Sequence, residues 1–257
     1  MDLKENQEKF FTYDRVHPWE TVRLSFVETL LRKYNPGAKR VLDVGCGNCF
    51  VANSLTKKLG IQIAAVDNMF TPELMAKLRG QSAVQGIELF RSVKDIHDMD
   101  FDTVMLLDVI EHIENDESVL RELLNSDRIK PGAVFIITVP AFSALFSEHD
   151  RRLGHYRRYT ASQLCRLAGE SGTEILDYGY FFVSLLFVRI LQTMLEKLLH
   201  REKNKSVSAV GEWNNGPAIT ALVVFGLKAD TLITRCLNKI KIMIPGLSCY
   251  IICRKPH

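Results

Sequence analysis

The sequence is short of several features that would settle its class at once. Its 33 Lys and Arg stand against 30 Asp and Glu for a net charge of +3, without the basic excess of a dedicated polynucleotide binder, so no nucleic-acid partner is expected. It has no internal repeat, which sets solenoids and propellers aside. With 47% hydrophobic residues it is too apolar for a disordered chain. The opening Met1-Asp2-Leu3-Lys4-Glu5-Asn6 has no apolar core behind it, unlike a secretory signal, and the expected location is cytoplasmic. Six cysteines supply a single C-x-x-C, Cys46 to Cys49. Without a second pair, neither a zinc site nor a disulfide scaffold is expected. The longest apolar stretch, Tyr180 to Val188, is interrupted by Ser184 and closed by Arg189, short of the roughly 20 residues that cross a bilayer.

What the chain does have is asymmetry and alternation. Residues 1–180 carry 22 basic and 26 acidic side chains, while residues 181–257 carry 11 and 4. The near-neutral total therefore joins an acidic part to a basic one. Helical spacing of Val22, Phe26 and Leu30 predicts a helix over 19–34, stopped at Asn35-Pro36-Gly37. Short apolar runs at 40–44, 61–66, 87–90, 102–107, 133–139, 174–178 and 247–253 read as seven strands, most of them separated by helical segments. The fifth is expected to stop at Pro140, and Thr160 with Gln163 forms a capping box that opens a helix to Gly169. Such alternation predicts an α/β fold, a doubly wound and mainly parallel sheet. About 65 residues (181–245) separate the last two strands, too many for a connection, so a helical insertion is expected there. The resulting division is 1–37, a helical lid; 38–180, the core; 181–245, the insertion; and 246–257, the last strand.

The most informative phrase is Val41-Leu42-Asp43-Val44-Gly45-Cys46-Gly47-Asn48-Cys49. A strand ends in a carboxylate, and two glycines then let the backbone approach a ligand before a helix begins. Asp67 closes the next strand, 22 residues after Gly45, where a carboxylate accepts from ribose hydroxyls. The dinucleotide fingerprint needs glycine at position 50, which is Phe50. Asp43 would repel a pyrophosphate and suits a cationic ligand end instead.

Here the chain resembles the class I S-adenosylmethionine-dependent methyltransferases, in a branch similar to bacterial small-molecule and glycan-associated enzymes. Their motif acid-x-G-x-G-x-G matches at Asp43, Gly45 and Gly47, with Cys49 in place of the third glycine. Asp67 matches the acid ending the second strand, Lys94-Asp95-Ile96 the segment that meets adenine, and Phe101 to Ile113 the fourth strand with the helix start after it. The resemblance covers roughly 38–180 and implies a Rossmann-like fold with S-adenosylmethionine as donor and S-adenosylhomocysteine as product. It implies a donor site of Asp43, Gly45, Cys46, Gly47, Asp67, Asn68, Met69, Asp95, Ile96, Leu107 and Asp108. Backbone N–H groups at 45–47 and Asp43 would hold the amino-acid end. His17-Pro18-Trp19 with Arg23 resembles a family lid segment, or starts a core helix.

The stretch Ser147 to Tyr159 packs two histidines, four arginines and two tyrosines into 13 residues. It resembles the H-D-x-x-x-G-H-x-x-R-Y segment of family members associated with cell-surface glycan and lipid-linked substrates. His149 or His155 is the expected general base, with Asp150 orienting an imidazole. Arg157, Arg158 and Tyr159 are expected to meet the substrate, the arginines clamping an anionic group. The insertion admits three readings: ordinary core, the wall of a pocket for a lipidic chain, or an apolar face in peripheral contact with an anionic membrane, helped by Arg189, Lys197, Arg201, Lys203 and Lys205. The expected function is O-methylation of an anionic or lipid-linked small molecule or a glycan. The alternatives are a quinone or other hydrophobic small-molecule acceptor, and a donor-binding but inactive partner subunit.

Overall fold

A computed structural model describes residues 17–79, 86–198, 213, 215–240 and 242–257. Seven strands form one sheet: β1 (Arg40–Val44), β2 (Gln62–Val66), β3 (Ile87–Phe90), β4 (Phe101–Leu107), β5 (Ile129–Pro140), β6 (Glu174–Phe181) and β7 (Ser248–Arg254). Their spatial order is β3-β2-β1-β4-β5-β7-β6. The first five run parallel, and β7 is antiparallel to both neighbours. The order reverses between β1 and β4, so a crevice opens beyond the carboxyl ends of these two strands, where open α/β sheets bind ligands. The sheet is the Rossmann-like, mainly parallel one that the sequence predicts.

Apolar side chains of period two explain why the strands are buried on both faces. Val41, Ile63, Met105, Ile136 and Ile252 point to one face, and Leu42, Ala64, Val104, Phe135 and Ile251 to the other. The first face is covered by α1 (Pro18–Tyr34), which inserts Val22, Phe26 and Leu30, and by α2 (Phe50–Leu59). The second is covered by α4 (Asp116–Asn125) and α6 (Ala161–Glu170) through Leu120, Leu124 and Leu164. α3 (Pro72–Arg79) follows β2, and α5 (Glu148–Leu153) lies in the loop after β5. In the 17–37 part of the expected lid, the described residues form a core helix.

Three boundaries differ from expectation for local reasons. β5 begins at Ile129, paired with Phe101, and is irregular before Thr103 meets Val134; Gly132 takes φ +77 in that irregularity. It also runs through Pro140, which pairs with Ser248 at the strand's end, a position where the missing N–H does no harm. β6 continues to Phe181 because β7 pairs with it over its whole length.

The described part of the insertion forms two helices, α7 (Val183–Leu198) and α8 (Pro217–Lys239). Among the described residues, the stretch nearest to a membrane span is α8, not Tyr180 to Val188. By length and composition alone it is long and apolar enough to cross one. Thr220, Gly226 and Lys228 break the apolar run in the sequence, but none of them breaks the helix. The basic residues Arg201, Lys203 and Lys205 lie outside the described residues, as does the side chain of Lys197.

Candidate active site

The turn after β1 is held shut by its own backbone. Val66 carbonyl accepts from Gly45 N–H at 2.8 Å and from Cys46 N–H at 3.1 Å. Gly47 N–H donates to Asp67 Oδ2 at 3.0 Å, and Met69 N–H to Asp67 Oδ1 at the same distance. The three turn N–H groups expected to grip a ligand therefore have protein partners, and what the turn offers is a narrow, side-chain-free wall. Gly45 sits at φ +70, and a Cβ there would lie 2.5 Å from Val109 Cγ2. Cys49, in the place of the family's third glycine, takes φ +59 in the left-handed region, the reason a glycine is favoured at that position.

Asp43 is 2% exposed at the end of β1. Burial pushes its carboxyl up to about 7, against the opposing influence of Arg23. A buried acid held near neutrality invites a cation beside it. Arg23 comes from α1, lies over the Trp19 ring at 4.8 Å, and pairs with Asp108 just past β4. Asp108 has φ +58, and its Oδ1 accepts from Thr138 Oγ1 at 3.1 Å. Arg23 Nε and Trp19 Nε1 are buried donors with no hydrogen-bond partner among the described residues. Leu107 is buried beside them.

Ile96 is buried and Met69 half-buried, while Asn68 is exposed. Asp95 is exposed, and its Oδ2 accepts from Ser92 N–H at 3.0 Å in the capping box of a short 3-10 turn. One of its oxygens is thereby engaged, which narrows the adenine contact expected of it. The C-x-x-C is a packed pair, with sulfurs 3.8 Å apart. Burial, the Cys49 thiol and the acids Asp43 and Asp67 push the Cys46 thiol up, the opposite of a reactive thiolate.

In the loop after β5 the two histidines differ in their partners. Asp150, fully buried, accepts from His155 Nδ1 at 3.0 Å, Arg158 Nε at 2.8 Å and Ser147 N–H at 2.8 Å. Burial alone would raise its carboxyl, but His155 and Arg158 hold it well below the usual range. His155 is thus the imidazole that Asp150 orients. Its ring stands edge-on to His112, 4.5 Å between centroids, and Tyr156 N–H donates to Glu111 carbonyl at 2.7 Å. These contacts seat the loop on the 3-10 turn after Asp108. His149 is half-buried, and burial lowers its pKa.

The residues expected to clamp an anionic group have partners within the chain. Arg158 is buried and donates to Asp150 and to Ala141 carbonyl. Arg157 pairs with Asp116 Oδ2 at 3.0 Å and donates to Glu114 carbonyl at 2.6 Å. Tyr159 is buried, its hydroxyl donating to Asp116 Oδ2 at 2.7 Å. All three fasten the loop to the core, so the positive charge read along the sequence is neutralised by acids from other segments.

Glu111 carries no signal in the sequence beyond its place after the fourth strand. It is fully buried, and neither carboxylate oxygen has a hydrogen-bond partner among the described residues. Burial and the charge of Asp108 push its carboxyl well up. One ligand atom each from Glu111, His112 and His155 lie within 4.8 Å of one another, a spacing that one cation can bridge.

A general methyltransferase-domain family model matches residues 19–178. A ubiquinone biosynthesis O-methyltransferase of Xanthomonas euvesicatoria is 31% identical over 139 residues, covering 51% of this chain and 55% of that protein. The chain thus spans about half the length of the curated relatives it matches. Among solved structures, a putative sarcosine dimethylglycine methyltransferase from Galdieria sulphuraria aligns with TM-score 0.55 at 18% identity, over 93% of this chain and 86% of that one. Haemonchus contortus phosphoethanolamine N-methyltransferase 2, in complex with S-adenosylmethionine, aligns with the same score and identity over 99% and 56%. The donor set fits that molecule: a buried acid for its ammonium, unpartnered buried N–H groups for its carboxylate, and an acid at the end of β2 for its ribose. With the crevice at the β1–β4 reversal and a family model spanning most of the sheet, the chain belongs to the class I S-adenosylmethionine-dependent methyltransferase family.

Proposed function

We propose that the chain catalyses transfer of a methyl group from S-adenosylmethionine to a hydroxyl on a small hydrophobic acceptor, with His155 as general base. The observation that carries this reading is the Asp150–His155 pair. Asp150 stays ionised and accepts a hydrogen bond from Nδ1–H, so Nε2 is left as the basic nitrogen. Bound S-adenosylmethionine supplies a methyl carbon already activated by its sulfonium. The chain's residues must then align the acceptor and remove its proton. Asp43 balances the donor's ammonium, Arg23 and Trp19 face its carboxylate, Asp67 takes the ribose hydroxyls, and Met69 and Ile96 flank the adenine.

Internal neutralisation of Arg157 and Arg158 favours an uncharged acceptor over the anionic one. The name of the bacterial relatives, ubiquinone biosynthesis O-methyltransferase, supports a quinol-like or other lipidic hydroxyl compound over a free glycan. Isotopic methyl transfer to a panel comprising a catechol-type quinol, a lipid-linked sugar and an acidic free glycan tests the reading. Labelling of either hydrophobic acceptor, lost in His155→Ala and kept in His149→Ala, is the expected result. Labelling of the glycan alone, or full activity in His155→Ala, refutes it. Donor binding without transfer to any acceptor would point to the donor-binding but inactive-subunit alternative.

A further inference from the structure

The helical pair α7–α8 is turned inside out. At 100° per residue, the inward side of α8 carries Leu227, Thr231, Thr234 and Asn238, with Val223 and Val224 packed at the edge of the core. Its outward positions are Leu222, Phe225, Ala229, Leu232, Ile233, Cys236 and Ile240. Phe225 is 72% exposed, Leu222 70% and Leu232 60%. The inward threonines satisfy themselves on their own helix: Thr231 Oγ1 donates to Leu227 carbonyl and Thr234 Oγ1 to Asp230 carbonyl, both at 2.8 Å. α7 adds exposed Phe187, Val188, Leu191 and Met194. Ser184 donates to Asp230, through its N–H at 3.1 Å and its hydroxyl at 2.9 Å, and ties the two helices together. A helix packed in a water-soluble fold points its apolar stripe at the core; this one points it away.

We infer that the outward face of α7–α8 docks in the interface of an anionic lipid bilayer, lying along it rather than through it. One side of α8 packs on α1 and β6, which keeps the helix with the catalytic sheet, although its length and composition would suit a span. The lipid occupant is argued from composition and charge. Along the outward stripe from Leu222 to Cys236 no side chain is charged or amide-bearing, whereas protein interfaces carry about one hydrogen bond per 100–200 Å². Lys228 and Lys239, exposed and 11 residues apart, line one flank of the stripe, while Arg235 between them lies over the Phe26 ring. Basic side chains beside a buried apolar face are the arrangement that anionic headgroups attract. A second copy packed antiparallel on this face about a two-fold axis would bring that flank against its own like charges. Arg189 of α7 donates to Ser147 Oγ at 2.6 Å, so the docked face adjoins the loop that carries His155.

Flotation of the full chain with vesicles of equal phosphatidylcholine and phosphatidylglycerol tests this. The wild type is expected to float, and less so with phosphatidylcholine alone or at high salt. The double variant Leu222→Glu/Phe225→Glu is expected to lose tenfold or more of its bound fraction, and Lys228→Glu/Lys239→Glu several-fold. Affinity for S-adenosylmethionine, measured by calorimetry, is expected to be unchanged in both variants, which shows that they are folded and separates this test from the methyltransferase reading. A wild type that stays with neither vesicle overturns the inference, as does a Leu222→Glu/Phe225→Glu protein that floats like wild type. A dimer by light scattering that the same double variant splits, with no vesicle binding, assigns the face to a second copy and overturns it too.

Discussion

Replacing Asp43 by Asn should make the protein more stable and less able to bind its donor. The carboxyl is fully buried, and its pKa is pushed up to about 7 from about 3.9 in an unfolded chain. An acid whose folded pKa is raised destabilises the fold as pH rises. The penalty is absent below about pH 4, accumulates between 4 and 7, and is constant above. Three units at about 1.4 kcal/mol each give about 4 kcal/mol at pH 8. The amide of Asn, buried at the same place without a designed partner, costs about 1–3 kcal/mol of this gain. Asp43→Asn is therefore expected to gain about 1–3 kcal/mol at pH 8 and to change by between about +0.5 and −1.5 kcal/mol at pH 5, where only about 1.5 kcal/mol of the penalty has accrued. Urea unfolding at the two pH values reads this directly. In parallel, loss of a charge-assisted contact worth about 1.5–3 kcal/mol should weaken donor binding roughly ten- to a hundredfold at pH 8 by calorimetry. An Asn variant less stable than wild type at pH 8, or one that binds the donor equally well, refutes the reasoning.

Other expectations follow the same geometry. His155→Ala should lower kcat by about 10²–10⁴-fold with the donor affinity kept, while His149→Ala stays near wild type; single-turnover kinetics separate the two. Arg23→Met removes the cation that lowers the Asp43 pKa, so the midpoint of donor affinity against pH should move upward, and an unmoved midpoint would contradict the pairing. Gly45→Ala places a Cβ 2.5 Å from Val109 Cγ2 at φ +70 and should cost about 1–3 kcal/mol in unfolding. Adding Val109→Ala should return the steric part of that loss and leave the conformational part.

What could be read from the sequence was whatever one segment decides by itself. Asp43, Gly45, Gly47 and Asp67 lie on two consecutive strand ends, and period-two apolar runs bury those strands whatever else happens. The capping box at Thr160 and Gln163 is local, and it forms as written. The acceptor side depends on segments far apart in the chain. Arg157 looks free until α4 brings Asp116 beside it, and Arg158 until Asp150 is buried under it. The choice of His155 over His149 follows from the capping of α5, where Ser147 fixes Asp150 and Asp150 then reaches one imidazole. Arg23, legible with His17-Pro18-Trp19 only as part of a lid segment or helix start, meets its partner Asp108 across 85 positions of the chain. Periodicity likewise marks α8 as two-faced but does not say which face turns inward.

The register of the last two strands has a consequence for how this chain can vary. Phe181 and Ser248 are directly paired, so the chain departs into the insertion and returns from it at the two ends of one antiparallel rung, about 5 Å apart. To the sheet, the residues between them occupy the place of a hairpin turn. Any segment whose ends meet at that distance, from a tight turn to a different helical module, closes the same two strands in the same register. The two-helix surface proposed to meet lipid is in that sense interchangeable, while the donor crevice on the far side of β5 is built from strands that the exchange never touches.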